Sequence, residues 1–274
     1  MLALPRKADA IHGAAGTHHG DKAATLDSRG RSRALLTTAL VVATLLLFLC
    51  SLVVGSRTIP LPDLFSALLH RGEADIENIV WDLRIPRTFL AYFAGAAIAV
   101  SGVIAQSWTR NPLADPGFIG ITAGASFLVA LGTTLGIATS TGMRTALALI
   151  GAGMATAVVL GVSRRFQDPL TLVLVGAGVA AALSSSAMLL GLYSTNVLDS
   201  MRRWTIGSTF GRGPEDVAIA GAGLLIGLTV AARVARPLDL LAMGEESSVA
   251  LGGSPMLTRR GAALSIVILA GCAT

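Results

Sequence analysis

The chain has 274 residues, of which 53% are hydrophobic and 14% charged, and its formal net charge is +5. An ordinary soluble domain carries about 25% charged residues. One large core does not explain the deficit, because the apolar residues come in long runs and not in stripes one helix face wide. Composition therefore argues against a soluble all-α protein and predicts an all-α, polytopic membrane protein. Nucleic-acid binding is not indicated, since no dense basic patch with interleaved aromatic residues is present.

Six apolar runs are long enough to be membrane spans, for which roughly 20 mostly apolar residues are needed. They cover residues 34–55, 88–108, 117–138, 145–163, 169–193 and 217–235. A polar, basic tail precedes them over residues 1–33, and we expect it to lie in the cytoplasm without a fixed structure. The first run exceeds the roughly 7–15 apolar residues of a signal peptide and no A-x-A cleavage site follows it, so it is interpreted as a span.

Charge predicts the orientation of these spans. With the N-terminus in the cytoplasm, 13 of the 21 basic residues and 8 of the 16 acidic residues fall on the inside. Cytoplasmic loops of membrane proteins carry such an excess of Lys and Arg.

A seventh apolar run, residues 261–274, ends the sequence. Fourteen helical residues rise about 21 Å, against a bilayer core of roughly 30 Å. The transmembrane domain, residues 34–274, is therefore expected to be incomplete at its C-terminus.

The polar joint between the second and third runs predicts a tight hairpin. Asn111-Pro112 disfavours continuing the preceding helix. Asp115-Pro116 is a helix start, because Asp accepts hydrogen bonds from exposed backbone N–H groups and Pro is tolerated at the first helical position. Small residues at helical spacing in the flanking runs predict close helix packing. They are Gly95–Ala99–Gly102, Gly120–Gly124 and Gly132–Gly136.

Residues 84–124 extend this reading, because "RIPRTFLAYFAGAAIAVSGVIAQSWTRNPLADPGFIGITAG" resembles the FecCD-type permeases. These are the membrane subunits of ABC importers for iron–siderophore complexes, haem and cobalamin. Three further segments are similar to that family in the same order: "DPLTLVLVGAGVAAALSS" (168–185), "WTIGSTFGR" (204–212) and "LDLLAMGEESSVALGGS" (238–254). The resemblance covers about residues 50–274.

The resemblance implies a ten-helix permease fold, of which about six and a half helices are present. It implies a permease subunit that works as a dimer with a second permease subunit, with ABC ATPase subunits inside and a periplasmic or lipid-anchored substrate-binding protein outside. The chain lacks a G-x-x-x-x-G-K-[ST] motif, so it binds no cofactor in this interpretation, and a partner subunit hydrolyses the ATP. The protein is accordingly expected in the inner or plasma membrane of a bacterium and is no enzyme itself.

Residues 238–255, here the coupling segment, resemble the part of these permeases that docks on the ATPase. Ser248 stands where relatives have another small residue, and the following alanine is shifted, so the register stays open. The residues implicated in coupling are Gly244, Glu245, Glu246, Ala250, Leu251 and Gly252. Ala250 and Leu251 are expected to form a small apolar knob.

The two arginines of "RIPR", Arg84 and Arg87, match family positions that meet carboxylates of the binding protein. Arginine suits this role because it stays charged and its planar fork fixes orientation. Both are expected at the outer end of the second span. Topology marking, or pairing with the nearby "EADIEN" segment, is an alternative.

The segment 168–185 is similar to the fifth helix of the family, and the resemblance implies that this helix lines the transport pathway. Gate or pathway candidates are Asp168, Pro169, Leu170 and Ser184. The serines 184–186 either face the pathway or bond back to helix carbonyls.

The favoured function is uptake of an iron–siderophore complex, because "TRNPLADPG" together with "AGAS" looks closest to the siderophore branch of the family. Haem, cobalamin or another chelate is the alternative cargo. A secondary carrier or an intramembrane enzyme is a remote alternative. A carrier usually keeps an ionisable residue at mid-membrane, and the predicted spans show neither such residues nor a catalytic cluster.

Overall fold

A computed structural model of the chain describes residues 14–55, 57–163, 169–209 and 211–273. Within these ranges the protein is helical and contains no strand. The chain divides into two compact units, one up to Phe65 and one from Ser66 onward. The first holds α1 (Ala14–Val53), and α2 (Leu61–Leu68) runs across the boundary.

The second unit is a bundle of helices. In chain order it contains α3 (Ala74–Asn78), a π-helical turn (Ile79–Arg84), α4 (Ile85–Thr109), a 3₁₀ turn (Pro116–Ile119), α5 (Ile121–Thr134), α6 (Thr141–Ser163), α7 (Pro169–Tyr193), α8 (Thr195–Ile206), α9 (Pro214–Ala242), α10 (Glu245–Ala250) and α11 (Pro255–Ala273).

Six helices of the described residues are long and apolar enough to cross a membrane. They are Arg31–Val53, Ala74–Thr109, Thr141–Val162, Val173–Leu192, Pro214–Ala242 and Pro255–Ala273. The prediction of an all-α, polytopic membrane protein is confirmed. The six helices are not, however, the six runs identified by hydropathy.

The third run, 117–138, forms a 3₁₀ turn followed by the 14-residue helix α5 and not one long helix. Gly120 and Gly136 explain the difference, because both adopt a left-handed conformation (φ 72° and 71°) that interrupts an α-helix. The turn adds about 8 Å and α5 about 21 Å of rise. Together they still match a bilayer core of roughly 30 Å.

The seventh run was wrongly predicted to be too short for a span. It belongs to α11, which begins at Pro255 and has 19 residues, a rise of about 28 Å. Hydropathy missed its first two turns because they contain Arg259 and Arg260. Proline at the first helical position starts the helix without losing a hydrogen bond.

Three other helices extend further than their apolar runs. α1 begins at Ala14, inside the segment predicted to be an unstructured tail, and no proline interrupts it up to Val53. The second span begins at Ala74 and not at residue 88. α9 continues through Pro237 to Ala242 because Leu238 and Leu241 are buried in the bundle.

Glycine contacts bring neighbouring helices close together. A Cβ atom at Gly124 would collide with the Gly151 carbonyl, so α5 and α6 meet backbone to backbone. On α9, Gly223 and Gly227 leave room for side chains of α11. Gly95 and Gly102, which were predicted to allow close helix packing, make no such contact here, because no atom lies within 4 Å of a Cβ built at either glycine.

One long-range hydrogen bond fixes the relative direction of two helices. The Arg110 guanidinium, directly after α4, donates to the carbonyl of Leu241, in the last turn of α9, at 2.7 Å. The C-terminal ends of α4 and α9 therefore lie on the same side of the bundle. That agrees with a chain that crosses the membrane in α4, α5, α6, α7 and α9 in turn.

Candidate functional site

The coupling segment forms a short helix between two long ones. α9 ends at Ala242, Gly244 takes a conformation that favours glycine (φ 123°), and α10 follows over Glu245–Ala250. Gly252, also with positive φ (81°), then leads to α11. The two glycines allow the sharp turns that separate α10 from its neighbours.

The position three places after Glu245, which is Ser248, has room only for a small side chain. Its side chain is buried, with 1% exposure, and packs against Gly253. Gly253 N donates to the Ser248 carbonyl at 2.7 Å. The Ser248 hydroxyl has no hydrogen-bond partner, so its size and not its polarity fits the site.

The end of α10 and the residues that flank the helix expose apolar side chains. Val249 and Leu251 are 59% and 62% exposed, and Ala250 between them is exposed as well. Met243, Met256 and Leu257 add exposed apolar side chains before and after α10. The exposed apolar surface is larger than the predicted knob of Ala250 and Leu251, because residues before and after α10 also contribute to it.

The acidic residues of α10 lie beside this face. Glu245 forms an ion pair with Arg259 of α11, and both side chains are exposed. Glu246 is exposed too. No local pattern in the sequence indicates this pair, because Glu245 and Arg259 are 14 residues apart.

The two arginines of "RIPR" occupy different environments. Arg84 ends the π-helical turn and is 8% exposed, whereas Arg87 lies in the first turn of α4 and is exposed. Both lie where α4 begins, and the π-helical turn and α3 continue the helix outward from them to Ala74. Arg87 alone of the two presents its side chain, and docking by either arginine stays a prediction.

The helical region before these arginines is held by its own contacts. Trp81 Nε1 donates to the carbonyl of Ala67 at 3.0 Å, and the indole stacks on the His70 ring with centroids 4.8 Å apart. Glu77, from the "EADIEN" segment, accepts a hydrogen bond from Gly72 N and lies 3.7 Å from His70 Nδ1.

The hairpin after α4 has the local geometry that its sequence indicates. Asn111 Oδ1 accepts a hydrogen bond from Leu113 N at 2.9 Å. Asp115 Oδ1 accepts one from Gly117 N at 2.7 Å, and Pro116 is the first residue of the 3₁₀ turn. Asp115 therefore caps a 3₁₀ turn, which joins α5 through Gly120. Pro112 lies in the turn between these two caps.

The gate candidates at the start of α7 are only partly described. Asp168 lies outside the described residues, and Pro169 and Leu170 are the first residues of α7. Ser184 is exposed on α7. Ser186 Oγ donates to the Ala182 carbonyl at 2.8 Å. For this serine, the contact favours bonding back to the helix over facing the pathway.

An apolar cavity of about 250 Å³ opens between α5, α6 and α7. Its lining includes Gly124, Gly151, Phe127, Met154 and Leu183. A site of this composition offers contact area without charged or hydrogen-bonding groups.

These features define a class: a multi-pass helical membrane protein whose spans are linked by a short helix with an exposed apolar face. Comparison with known proteins gives the family. The sequence profile of the FecCD transport family matches residues 43–274. The chain belongs to the FecCD transport family, and the resemblance found in the sequence is confirmed.

Relatives in this family are permeases named for iron uptake. The chain is 31% identical to the ferric enterobactin transport system permease protein FepD of Escherichia coli, over 89% of this chain and 74% of that protein. Identity to the Fe(3+) dicitrate transport system permease protein FecD of Escherichia coli is 34%, over 77% of this chain and 66% of FecD. The iron-uptake system permease protein FeuB of Bacillus subtilis is 27% identical, over 87% and 72%.

The fold also matches a solved structure. This is an ABC transporter described as of the metal-chelate type, in an inward-facing conformation. The TM-score is 0.74 at 24% identity, and the match covers 87% of this chain and 75% of the other. At that identity the likeness shows a shared fold.

Proposed function

We propose that the chain is the permease subunit of an ABC importer that carries an iron–siderophore complex into the cytoplasm. Family membership and relatives named for enterobactin, dicitrate and iron uptake support this. The observation that carries the proposal is α10, a short helix that exposes Val249 and Leu251 between two spans. Exposed apolar patches of this kind mark sites of protein–protein contact.

The cargo is tested by uptake of radiolabelled iron. A strain that lacks the gene is supplied with iron as enterobactin, hydroxamate or dicitrate complex, and separately with haem and cobalamin. We expect uptake of at least one ferric siderophore to fall and to return with the intact gene. Unchanged uptake of every ferric complex, with loss of haem or cobalamin uptake, would transfer the assignment to the alternative cargo.

The exposed face of the coupling segment is the proposed contact for the ATPase subunits, which hydrolyse the ATP. A Leu251→Ser change removes apolar area from that face. Leu135 makes a matched control. It is also 62% exposed, but it directly follows α5, outside the coupling segment. We expect the ATPase to co-purify poorly with L251S and normally with L135S. Equal recovery with both variants would contradict this contact.

Arg87 is the proposed contact for a carboxylate of the substrate-binding protein on the outer face. Its exposure on α4 supports this role, whereas the burial of Arg84 supports a role in packing. Reversing a charge at such a contact acts on association, and we expect Arg87→Glu to weaken binding about tenfold or more. Arg87→Lys is the control, because it keeps the positive charge. Normal affinity of R87E would remove Arg87 from the docking surface.

Alternating access in a permease dimer is the proposed mechanism, with the N-terminus in the cytoplasm of a bacterial cell. The excess of Lys and Arg on the proposed inner side supports this orientation. Cysteines placed singly in the N-terminal tail and at the exposed Glu246, in a chain without Cys50 and Cys272, test it. Both should be blocked by a permeant thiol reagent and spared by an impermeant one. Opposite results at the two positions would overturn the orientation.

A further inference from the structure

Arg110 occupies a backbone position at which a glycine is expected. It follows the last residue of α4 in the left-handed conformation, with φ 52° and ψ 32°. Helices often end in this conformation, but usually at a glycine, because a Cβ atom is strained there. An arginine at this position suggests that its side chain has a use that outweighs the strain.

The side chain reaches a buried carbonyl 131 positions away in the sequence. Its guanidinium donates to the Leu241 carbonyl at 2.7 Å, and Leu241 is 1% exposed. The same carbonyl accepts a hydrogen bond from Gly244 N at 3.1 Å. A cation at the C-terminal turn of a helix is favourable, since carbonyl groups there carry partial negative charge.

Leu241 is the second-last residue of α9, close to the turn that leads into α10. The ion pair of Glu245 with Arg259, which joins α10 to α11, is exposed on both sides and so contributes little to stability. The bond from Arg110 is charge-assisted and partly buried, because Arg110 is exposed but its acceptor belongs to the buried Leu241, which makes it the stronger anchor. It attaches the start of the coupling segment to α4.

α4 also carries the outer docking candidate. Arg87 lies in its first turn and Arg110 directly follows its last residue, so the two are separated by about 35 Å of helix. We propose that Arg110 is a positioning residue: it holds the end of α9, from which the turn into α10 leads, against the end of α4, so that displacement of the coupling segment moves α4. The transport readout of this inference rests on the proposed function, whereas its structural readout does not.

Two substitutions separate the guanidinium from the backbone strain. Arg110→Gln removes the charged donor and keeps the Cβ atom, whereas Arg110→Gly removes the donor and relieves the strain. Arg144 is a matched control, because its Nε donates to the Ala138 carbonyl at 3.2 Å at the other end of the bundle. Arg110→Lys tests rescue by a cation of similar length.

The structural readout is amide hydrogen exchange of residues 243–254 in the full chain, reconstituted in lipid nanodiscs. We expect exchange about tenfold faster in R110Q and R110G, because each loses a charge-assisted hydrogen bond. R144Q should exchange like the parent in this segment, and R110K should fall between. Parent-like exchange in both R110Q and R110G would overturn the proposal. Equal acceleration in R144Q would also overturn it, by showing a general loss of stability.

The functional readout is the amount of ferric chelate transported per ATP hydrolysed, with the chelate taken from the uptake panel. We expect R110Q and R110G to lower this ratio several-fold while the KM for the loaded binding protein stays the same. A normal ratio with accelerated exchange would refute the link to coupling. If the parent moves no chelate, the proposed function fails, and the exchange result still decides whether Arg110 positions the segment.

Discussion

The contact of α5 with α6 gives the most direct test of the structure. A Cβ atom added at Gly151 would collide with the Gly124 carbonyl oxygen and lie 2.8 Å from both the Gly124 carbonyl carbon and Leu128 Cβ. Two of these neighbours are backbone atoms, which cannot rotate away as a side chain can. Gly151→Ala therefore requires α5 and α6 to separate along the contact.

The expected loss follows from two opposing effects. Overpacking of a close contact costs about 1–3 kcal/mol, and replacing a helical glycine by alanine returns about 0.5–1 kcal/mol. The upper part of the first range applies, because backbone meets backbone on both sides. A net loss of about 2 kcal/mol corresponds to a fall in Tm of about 4–8 °C for a chain of this size.

Gly153 is the matched control in the same helix, since a Cβ atom built there has no neighbour within 4 Å. Only the favourable helix effect acts on Gly153→Ala, so its Tm should equal or slightly exceed that of the parent. Thermal unfolding of the purified protein in nanodiscs, followed by size-exclusion chromatography with fluorescence detection, measures both variants. Identical Tm values for G151A and G153A would refute the backbone contact.

Three further outcomes follow from single contacts. Ser248→Ala should be neutral or slightly stabilising in thermal unfolding, whereas Ser248→Leu should destabilise the coupling segment because Gly253 leaves no room; equal Tm values would contradict that packing. Asp115→Ala should lower the free energy of unfolding by about 1 kcal/mol because the cap is lost, and Asp115→Asn should keep most of that stability. If the cap contributes nothing, the parent and both variants will have the same Tm. A double-mutant cycle on Glu245 and Arg259 should give a coupling energy below about 1 kcal/mol, as for other exposed pairs, and a clearly larger value would show that the pair is shielded from water.

Local signals in the sequence were sufficient where the structure depends on neighbouring residues. Asp115-Pro116 predicted a helix start because the carboxylate and the N–H that it accepts from are two residues apart. The apolar runs likewise predicted most of the spans. Their limits were less accurate, because charged residues such as Arg259 lower the hydropathy of a helical turn without preventing it from forming.

Burial and long-range contacts were beyond the sequence. The spacing of Arg84 and Arg87 is compatible with one shared surface, and only the packing around the π-helical turn shows that one is buried. Arg110 and Leu241 are 131 residues apart, and nothing near either residue points to the other. An arginine at the left-handed position after α4 is a signal that becomes visible only when the backbone conformation is known.

The wide turn before Pro86 also determines how the chain tolerates changes in length. A π-helical turn accommodates one residue more than an α-helical turn over the same rise. Deleting one residue from Ile79–Arg84 would restore regular winding and rotate α3 by about 100° about the axis of α4. Trp81 would then lose Ala67 and His70, so homologous chains one residue shorter at this point must attach the segment before α4 by different contacts.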